Sequence, residues 1–401
     1  MSDLPSPTQG VVLSESRDRG MGQAEVIVVG AGVVGCSIAY HLAKLGCRDV
    51  IVLEKGSVGS GSTGICAGGI RQQFSTEINI RLSMESVKFF ERFEDETGHP
   101  ADFHQNGYLI LATDEGELES FRRNVALQRS LGLEVYLLSP QEAKELVPQL
   151  NVEDVLGATY CPTDGYADPH SVVQGFAHAA RSLGVRIYQE TEVVGIKAKG
   201  GRVVGVSTTK CEFRAPIIVD AAGPYAAQVG KMVGVEVPIR PSRRHIFATE
   251  PVFSAPDPVP MVVDFHNGFW FRREGPCIIF GMRNPDEPEG FDTTVDWDFL
   301  ADSLAYAACH RLPFIADVGI MKGQAGLHSD TPDYHAILGS VPEVEGFYLA
   351  CGFSGHGFMH SPAVGRLMAG LILNGKVDID ISPLSPERFK TGMHAKEEGF
   401  I

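Results

Sequence analysis

One stretch near the start of the chain combines a buried strand, a glycine-rich turn and a helix, followed by a second strand. The letters EVIVVG predict a strand from Glu25, VVGCSIAYHLAKLG predicts a helix, and DVIVLEK predicts the next strand. Gly30, Gly32 and Gly35 lie between the first strand and the helix with the spacing G-x-G-x-x-G. Parallel strands joined by a helical crossover form an open α/β sheet, so this stretch restricts the fold more than any other.

The same turn predicts a binding site for a dinucleotide. The first glycine allows the tight turn, the second allows a pyrophosphate to approach, and the third lets the helix pack on the strand. Val33 and Val34 open the helix, whose N–H groups and partial positive charge suit a phosphate. Glu54 closes the second strand, where a carboxylate can bind ribose hydroxyls, and Lys55 follows it. These residues fit either NAD or the adenosine half of FAD.

Two later turns favour FAD over NAD. The strand IIVDAAGPYA ends in Ala221, Ala222 and Gly223, small residues that let a backbone pass close to a cofactor. The turn GFSGHGF precedes a helix that we expect to begin near Ser361. The positive end of that helix would favour negative charge on a flavin. A NAD enzyme does not need this distant third element, and the alternative is a pair of ordinary glycine turns.

Length, charge and cysteines narrow the class of protein. A chain of 401 residues is long enough for two lobes. The net charge of -16 argues against a nucleic-acid partner, and no apolar run reaches the roughly 20 residues of a membrane helix. The eight cysteines form no C-x-x-C pair, and the first residues resemble neither a secretory nor a mitochondrial leader. We therefore expect a cytoplasmic protein with no metal site and no membrane span.

We expect an α/β fold in which two lobes alternate along the chain. The first lobe, which binds the nucleotide, is assigned to residues 23–100, 156–236 and 323–390, and the substrate lobe to residues 101–155 and 237–322. The substrate lobe is predicted to be α+β with a mostly antiparallel sheet, because strands such as GFWFRR and CIIFGM alternate with a helix near WDFLADSLAYAACHRL. Residues 1–22 are predicted to form a flexible extension and residues 391–401 a tail.

Six stretches resemble the glycine/D-amino-acid oxidase (DAO) family of FAD enzymes. They are VIVVGAGVVGCSIAYHLAKLG, VIVLEK, GSGSTGICAGGIRQQFS, VDAAGPYA, SDTPDYHAILG and GFSGHGFMHSPAVG, and the resemblance extends from about Glu25 to Phe389. It is strongest to the sarcosine oxidase, proline dehydrogenase β-subunit and dimethylglycine dehydrogenase branches. The resemblance implies a Rossmann-like FAD-binding domain with an inserted substrate domain over the flavin, and oxidation of a C–N bond of an amino acid.

The resemblance also implies further cofactor contacts. These are Ser62 and Thr63 at the pyrophosphate, Ala67, Gly68 and Gly69 along the flavin ring, Val193 in a hairpin strand, and Gly355, His356, Gly357, Phe358 and Met359 in the last glycine-rich turn. His356 is expected to order the flavin loop rather than to carry protons. Positions at which some members attach flavin covalently fall at Ile65 and near Gly326, and neither residue can form the bond. We therefore expect noncovalent FAD, with Cys66 and Cys351 as the remaining candidates for attachment.

Three residues are predicted to act on the substrate. Arg71 falls where the resemblance places the group that binds the substrate carboxylate, and a guanidinium fork suits a carboxylate. Pairing of Arg71 with a protein carboxylate such as Glu77 is the alternative. His328 falls near the position of an active-site tyrosine in the oxidases. Arg283 is the candidate for a second cation, together with Arg244.

The predicted reaction is oxidation of a secondary or N-alkylated amino acid to an imine by hydride transfer to flavin N5. The oxygen-activating lysine of the oxidases falls near Ile279, so a dehydrogenase is favoured over a fast oxidase. The electron acceptor, which is oxygen, a quinone or a carrier protein, stays open, as does a heteromeric partner subunit. Two other functions also stay open, a non-catalytic FAD-containing assembly or scaffold protein and a hydroxy-acid oxidoreductase. His245, Phe269 and Trp270 either face the substrate or lie in the core, which is favoured for Phe269.

Overall fold

The computed structural model describes residues 22–252, 258–392 and 395–398. In these ranges the strands are β1 (Gly22–Gln23), β2 (Val26–Val29), β3 (Val50–Leu53), β4 (Gly69–Ile70), β5 (Tyr108–Ala112), β6 (Tyr136–Leu138), β7 (Gly157–Cys161), β8 (Gly165–Tyr166), β9 (Arg186–Tyr188), β10 (Val193–Lys199), β11 (Arg202–Thr208), β12 (Glu212–Arg214), β13 (Ile217–Asp220), β14 (Arg240–Thr249), β15 (Met261–Asp264), β16 (Phe269–Glu274), β17 (Cys277–Gly281), β18 (Ile320–Asp330), β19 (Ile337–Ser340) and β20 (Phe347–Cys351). The predicted N-terminal extension lies outside the described residues, except that Gly22 belongs to β1.

The helices lie between these strands. They are α1 (Val33–Lys44), α2 (Glu77–Phe90), α3 (Phe93–Thr97), α4 (Glu115–Ser130), α5 (Pro140–Leu146), α6 (Pro169–Ser182), α7 (Ala226–Lys231), α8 (Trp297–Phe299), α9 (Ala305–Arg311), α10 (Gly357–Asn374) and α11 (Arg388–Thr391), with a π-helical turn between α8 and α9. In the part of the chain that the structure describes, none of them is long and apolar enough to cross a bilayer.

The first lobe is built on a six-stranded sheet with the strand order β19-β20-β13-β2-β3-β9. Five of its strands are parallel, and only β19 pairs in the antiparallel sense. The apolar runs VIVV and VIVL in β2 and β3 are completely buried, as expected for parallel strands covered on both faces. Helices α1, α6 and α10 pack on one face, and the small sheet β1-β12-β11-β10 with α7 covers the other. The predicted α/β class is confirmed.

The second lobe is built on an eight-stranded sheet with the order β18-β14-β17-β16-β15-β5-β7-β6. Its neighbouring strands are antiparallel except for the pair β15 and β5. Helices α5, α8 and α9 cover one face, where Phe247, Phe271 and Phe280 are buried. Phe269 lies in the same core, as the sequence favours, and the opposite face of the sheet is turned toward the first lobe.

Strands β7 and β18 lie in a different sheet from the one predicted. Both fall largely within the ranges assigned to the first lobe, but they pair with β5 and β14 of the eight-stranded sheet. An alternating pattern predicts a strand but does not specify its partner. The sequences of β7 and β18 therefore do not show which of the two sheets they join.

Helix α10 begins at Gly357, four residues before its predicted start. Pro362 lies inside this helix. The hydroxyl of Ser361 donates to the carbonyl oxygen of Phe358 at 2.9 Å, which replaces the hydrogen bond that proline cannot donate. The turn that precedes α10 is therefore shorter than its sequence suggests.

Candidate active site

The glycine-rich turn between β2 and α1 forms one wall of a cavity. Gly30 has a φ of +102°, and a Cβ atom there would lie 2.5 Å from the carbonyl oxygen of Ala221. A Cβ atom on Gly35 would lie 2.0 Å from the carbonyl oxygen of Gly30. The backbone N–H of Val33, the first residue of α1, donates to Oγ1 of Thr63 at 3.1 Å. The turn has no room for side chains at these glycines, and the start of α1 lies at the cavity wall.

Glu54 is fixed beside this turn. One carboxylate oxygen accepts from the backbone N–H of Ala31 at 2.8 Å, and the other from that of Gly56 at 2.7 Å. Lys55 follows it, and its Nζ lies 3.0 Å from the centroid of the Tyr225 ring. The Glu54 carboxylate is thus oriented by the backbone and keeps lone pairs for a ligand hydroxyl.

The cavity lies between the two lobes and has a volume of about 540 Å³. The predicted residues that line it are Gly30, Gly32, Val33, Val34, Glu54, Lys55, Ser62, Thr63, Ala67, Gly69, Arg71, Ala221, Ala222, Gly223, Arg283, His328, Gly355, His356, Gly357, Phe358 and Met359. The structure therefore brings most of the residues chosen from separate motifs to one continuous site.

Three predicted cofactor residues do not line this cavity. Gly35 lies behind the turn, in the packing role that the motif assigns to it. Gly68 packs against Ala167, whose carbonyl oxygen would lie 2.2 Å from a Cβ atom at that glycine. Val193 begins β10, and its side chain is buried in the core beneath the small sheet. The prediction that Val193 contacts the cofactor has no support in its position.

The two positions compared with covalent attachment sites lie against each other. Ile65 and Gly326 both line the cavity, and a Cβ atom on Gly326 would lie 2.8 Å from Cβ of Ile65. Cys66 also lines it, but burial raises the pKa of its thiol to about 11. Cys351 is buried in the core beneath the small sheet. The wall at this point is apolar and closely packed.

Arg71 lines the same cavity, and only 3% of it is exposed. Its Nη1 donates to the carbonyl oxygen of Gln73 at 3.0 Å, and its guanidinium carbon lies 4.3 Å from the centroid of the Phe74 ring. Its Nη2 lies 3.4 Å from Nε2 of His356. Burial lowers the pKa of Arg71, and neighbouring acidic groups oppose that effect.

Glu77 does not pair with Arg71. Its carboxylate accepts from Nε of Arg81, one turn later on α2, at 2.7 Å. The alternative partner named from the sequence is thus engaged elsewhere.

The loop that follows Arg71 is held by a buried carboxylate that the sequence did not reveal. Asp164 accepts from the backbone N–H and from Nε2 of Gln72, at 2.8 and 3.0 Å, and from Nε2 of Gln73 at 3.0 Å. Burial raises the pKa of Asp164 to about 6, although these hydrogen bonds oppose the rise. Arg272, which is also buried, donates from Nε to the carbonyl oxygen of Ala67 at 2.6 Å and fixes the preceding part of the loop.

The histidines around Arg71 are neutral. Burial, reinforced by the charge of Arg71, holds the pKa of His356 well below its usual range and lowers that of His360 to about 3. Burial and the charge of Arg244 lower the pKa of His328 to about 4. His328 packs against the last glycine-rich turn, since a Cβ atom on Gly355 would lie 2.7 Å from Cε1 of His328. The cations at this end of the cavity are therefore arginines.

Arg244 and Arg283 are both on the wall formed by the second lobe. Arg244 pairs with Asp330, with 3.2 Å between Nη2 and Oδ2, and Arg283 is exposed. Ile279, the position compared with the oxidases' lysine, is buried on β17 and does not line the cavity. Ile279 pairs with Arg272 of β16, whose guanidinium donates to Ala67, and Met282 further along the chain lines the cavity.

The remaining wall near Arg71 is largely apolar. It includes Tyr108, Met261, Val263 and Trp270, which belong to the face of the eight-stranded sheet opposite α5, α8 and α9. A Cβ atom on Gly69 would lie 2.6 Å from the Tyr108 hydroxyl oxygen, so the loop and the sheet are in close contact. This wall limits the access of water to the space in front of Arg71.

The site fits an extended dinucleotide. The start of α1 supplies backbone N–H donors, Glu54 supplies a carboxylate, and the cavity continues past the small residues Ala67 and Gly69 to Arg71. A side chain at Gly30 would clash with the backbone at Ala221. Because Gly30 has no side chain, a ligand can approach the main chain closely here.

Comparisons with known proteins agree with this arrangement. Residues 25–371 match the DAO family model, described as FAD dependent oxidoreductase. Mitochondrial dimethylglycine dehydrogenase of Mus musculus is 32% identical over 387 residues, which cover 92% of this chain and 44% of that protein. FAD-dependent oxidoreductase domain-containing protein 1 of Bos taurus is 31% identical over 423 residues, covering 94% of this chain and 86% of that protein. The chain thus spans less than half the length of dimethylglycine dehydrogenase.

A solved structure matches over nearly the whole fold. The crystal structure of L-proline dehydrogenase from P. horikoshii has a TM-score of 0.88 and 35% sequence identity, covering 93% of this chain and 100% of that chain.

Proposed function

This chain belongs to the DAO family of FAD-dependent oxidoreductases, and we propose that it oxidises a C–N bond of a secondary or N-alkylated amino acid to an imine. Sarcosine-, proline- and dimethylglycine-like compounds are the proposed substrate class. The observation that supports this class most directly is Arg71, a buried guanidinium that lines the cavity beside His356. A buried cation beside an apolar wall suits a small molecule with one carboxylate and little other charge.

The cofactor residues would hold FAD along the first lobe. When bound, FAD accepts the hydride equivalent that leaves the carbon next to the substrate nitrogen. The start of α1 and Thr63 would hold the phosphates, and Glu54 the ribose hydroxyls. We propose noncovalent binding, because Ile65 and Gly326 fill the positions of covalent attachment with apolar atoms.

Arg71 is proposed to bind the substrate carboxylate and so to orient the carbon that is oxidised. Phe74 packs on its guanidinium plane, and the carbonyl of Gln73 fixes one edge of the fork. With the substrate held in this way, the entropy cost of aligning it with the cofactor is met on binding and not in the chemical step. His328 and Arg283 are proposed to contact the same substrate from the opposite wall.

The apolar wall is proposed to keep the substrate nitrogen neutral. A desolvated pocket lowers the pKa of an ammonium group, so the lone pair becomes available without a dedicated base. Tyr108, Met261 and Trp270 exclude water on one side, and the neutral His356 avoids a positive charge beside the nitrogen.

We further propose that electrons leave to an acceptor other than oxygen, such as a quinone or a carrier protein, with a partner subunit as one route. The support is that, among the described residues that line the cavity, the lysine is Lys55, and its Nζ lies over the ring of Tyr225. For the compartment we propose the cytoplasm, since the eight cysteines are free thiols. Cell fractionation tests this location against mitochondria.

Anaerobic reduction of the bound flavin tests the proposal. The purified holoprotein is mixed with sarcosine, N,N-dimethylglycine, L-proline, hydroxyproline, D-amino acids and 2-hydroxy acids, and the loss of flavin absorbance is followed before air or an artificial dye is admitted. We expect bleaching by a secondary or N-methylated amino acid, and faster reoxidation by the dye than by air. Bleaching by hydroxy acids alone, or by no compound, contradicts the proposal, and the latter outcome favours a scaffold role.

Arg71→Lys tests the role of the guanidinium. We expect the KM for the amino acid to rise roughly 10- to 100-fold, because a point charge replaces a bidentate fork in a buried site. Lys88→Arg, an exposed exchange of the same type on α2, is the control and should leave KM unchanged. An unchanged KM in Arg71→Lys contradicts the assigned role.

A further inference from the structure

A segment beyond the family match reaches the loop that carries Arg71. The DAO match ends at residue 371, whereas Glu397 is only 1% exposed. One oxygen of its carboxylate accepts from the backbone N–H of Ser75 at 2.8 Å and from the Ser75 hydroxyl at 2.5 Å. The other accepts from Oγ1 of Thr76 at 2.7 Å and from Nδ2 of Asn79 at 2.9 Å. We expected this region to be a tail, and its described residues instead make specific contacts.

The Glu397 carboxylate lies at the N-terminal end of helix α2. Thr76 is the N-cap residue of α2, but its own side chain does not cap the helix. A carboxylate from a distant segment accepts from Ser75, Thr76 and Asn79 beside this helix start, where negative charge is favourable. Burial alone would raise the pKa of Glu397, but the hydrogen bonds from Ser75, Thr76 and Asn79 outweigh it, and the pKa is lowered. Glu397 is therefore ionised at neutral pH.

The main chain around Glu397 is docked as well. The N–H of Glu397 donates to the carbonyl oxygen of Asp333 at 3.0 Å, and that of Glu398 donates to Oγ of Ser75 at 2.9 Å. Nδ2 of Asn79, which donates to Glu397, also lies 3.2 Å from Nδ1 of His335. The segment is thus fixed to two parts of the first lobe.

These contacts lie directly beside the groups that hold Arg71. Ser75 follows Phe74, whose ring packs on the guanidinium, and Gln73, whose carbonyl accepts from Nη1. A displacement of Ser75 therefore displaces both supports of Arg71. The charge of Glu397 also opposes the fall in the pKa of Arg71 that burial causes. Glu397 is thus linked to Arg71 both through the backbone of residues 73–75 and through its charge.

We propose that Glu397 is a positioning residue for Arg71, so that the segment 395–398 forms part of the carboxylate-binding site. The inference rests on the proposed function only in that Arg71 binds a carboxylate. Glu397 acts from behind the loop, through Ser75 and Thr76, and does not need to touch the substrate.

Two variants of Glu397 and one neighbouring control test this inference. Glu397→Ala removes all four side-chain hydrogen bonds, and Glu397→Gln keeps the shape and one acceptor oxygen but removes the charge. Glu398→Ala is the matched control, because Glu398 is exposed and contacts Ser75 through its backbone N–H. Each holoprotein is titrated with benzoate by calorimetry, and KM and kcat are measured with whichever amine bleaches the wild-type flavin.

We expect Glu397→Ala to weaken benzoate binding and to raise KM by about tenfold, with kcat changed less than KM, since the loss falls on ground-state binding. Glu397→Gln should lie between Ala and wild type, and Glu398→Ala should equal wild type. Hydrogen exchange at residues 75–79 should be faster in both Glu397 variants, because the Ser75 N–H loses or weakens its acceptor.

The benzoate affinity of the Glu397 variants decides whether Glu397 positions Arg71 or only stabilises the fold. Faster exchange or a lower Tm together with wild-type benzoate affinity and KM overturns the inference, because the contacts of Glu397 would then be structural only. If Glu397→Ala does not fold, Glu397→Gln decides by the same two readouts. If no amine bleaches the wild-type flavin while benzoate binding still depends on Glu397, the proposed reaction fails and the positioning role stands.

Discussion

Replacement of Asp164 by asparagine measures what it costs to hold the Arg71 loop with a buried charge. The pKa of this carboxyl is raised from 3.8 to about 6, chiefly by burial. In the folded protein the carboxyl therefore binds its proton more tightly than in the unfolded chain. The wild type loses stability as the pH rises from about 4 to above 6, and the full penalty of about 3 kcal/mol applies at pH 7.

Asparagine removes this penalty but loses one hydrogen bond. Its carbonyl oxygen can replace the oxygen that accepts from the backbone and side chain of Gln72, whereas its NH₂ group would face Nε2 of Gln73, which is a donor. That lost bond costs about 1–3 kcal/mol at every pH. At pH 7 the variant is therefore between equal to wild type and about 2 kcal/mol more stable, and at pH 5 this difference shifts against the variant by about 1 kcal/mol.

Equilibrium urea unfolding of both holoproteins at pH 5, 6 and 7, followed by circular dichroism, gives the difference in the free energy of unfolding. Asp302→Asn, at an exposed carboxylate, is the control and should show a difference that does not change with pH. The reasoning is refuted if the difference between Asp164→Asn and wild type is constant from pH 5 to pH 7. A variant that is more than about 3 kcal/mol less stable at pH 7 would also refute it, because the hydrogen bonds would then outweigh the burial of charge.

Three further predictions concern packing and the cofactor. Gly365→Ala should lower the free energy of unfolding by about 1–3 kcal/mol, because its Cβ would lie 2.1 Å from Oγ of Ser37 where α10 crosses α1, whereas Gly370→Ala on the same helix should stay within about 1 kcal/mol of wild type in urea unfolding. Thr63→Val should cost about 1–3 kcal/mol and weaken FAD binding in equilibrium dialysis, because the Val33 N–H loses its acceptor, and Thr63→Ser should restore both. Acid precipitation should release all the flavin into the supernatant, and yellow colour kept in the washed pellet would contradict noncovalent binding.

Local patterns predicted the part of the site that is built from consecutive residues. The turn around Gly30 and the end of β3 at Glu54 each follow from a few neighbouring residues. The DAO resemblance and the cavity agree on Arg71 and on the last glycine-rich turn.

The sequence did not predict the groups that hold these residues in place. Asp164 lies 92 residues from Gln72 and Glu397 lies 322 residues from Ser75, and an isolated acidic residue carries no sign of its distant partner.

The strand order of the first sheet has a consequence for synthesis of the protein. In that sheet β20, which ends at Cys351, pairs with β13, and β13 pairs with β2 from the start of the chain. A nascent chain that has left the ribosome as far as β13 still lacks β20, α10 and the turn that borders the far end of the cavity. Acquisition of the coenzyme is thereby deferred until β20 and α10 have been synthesised.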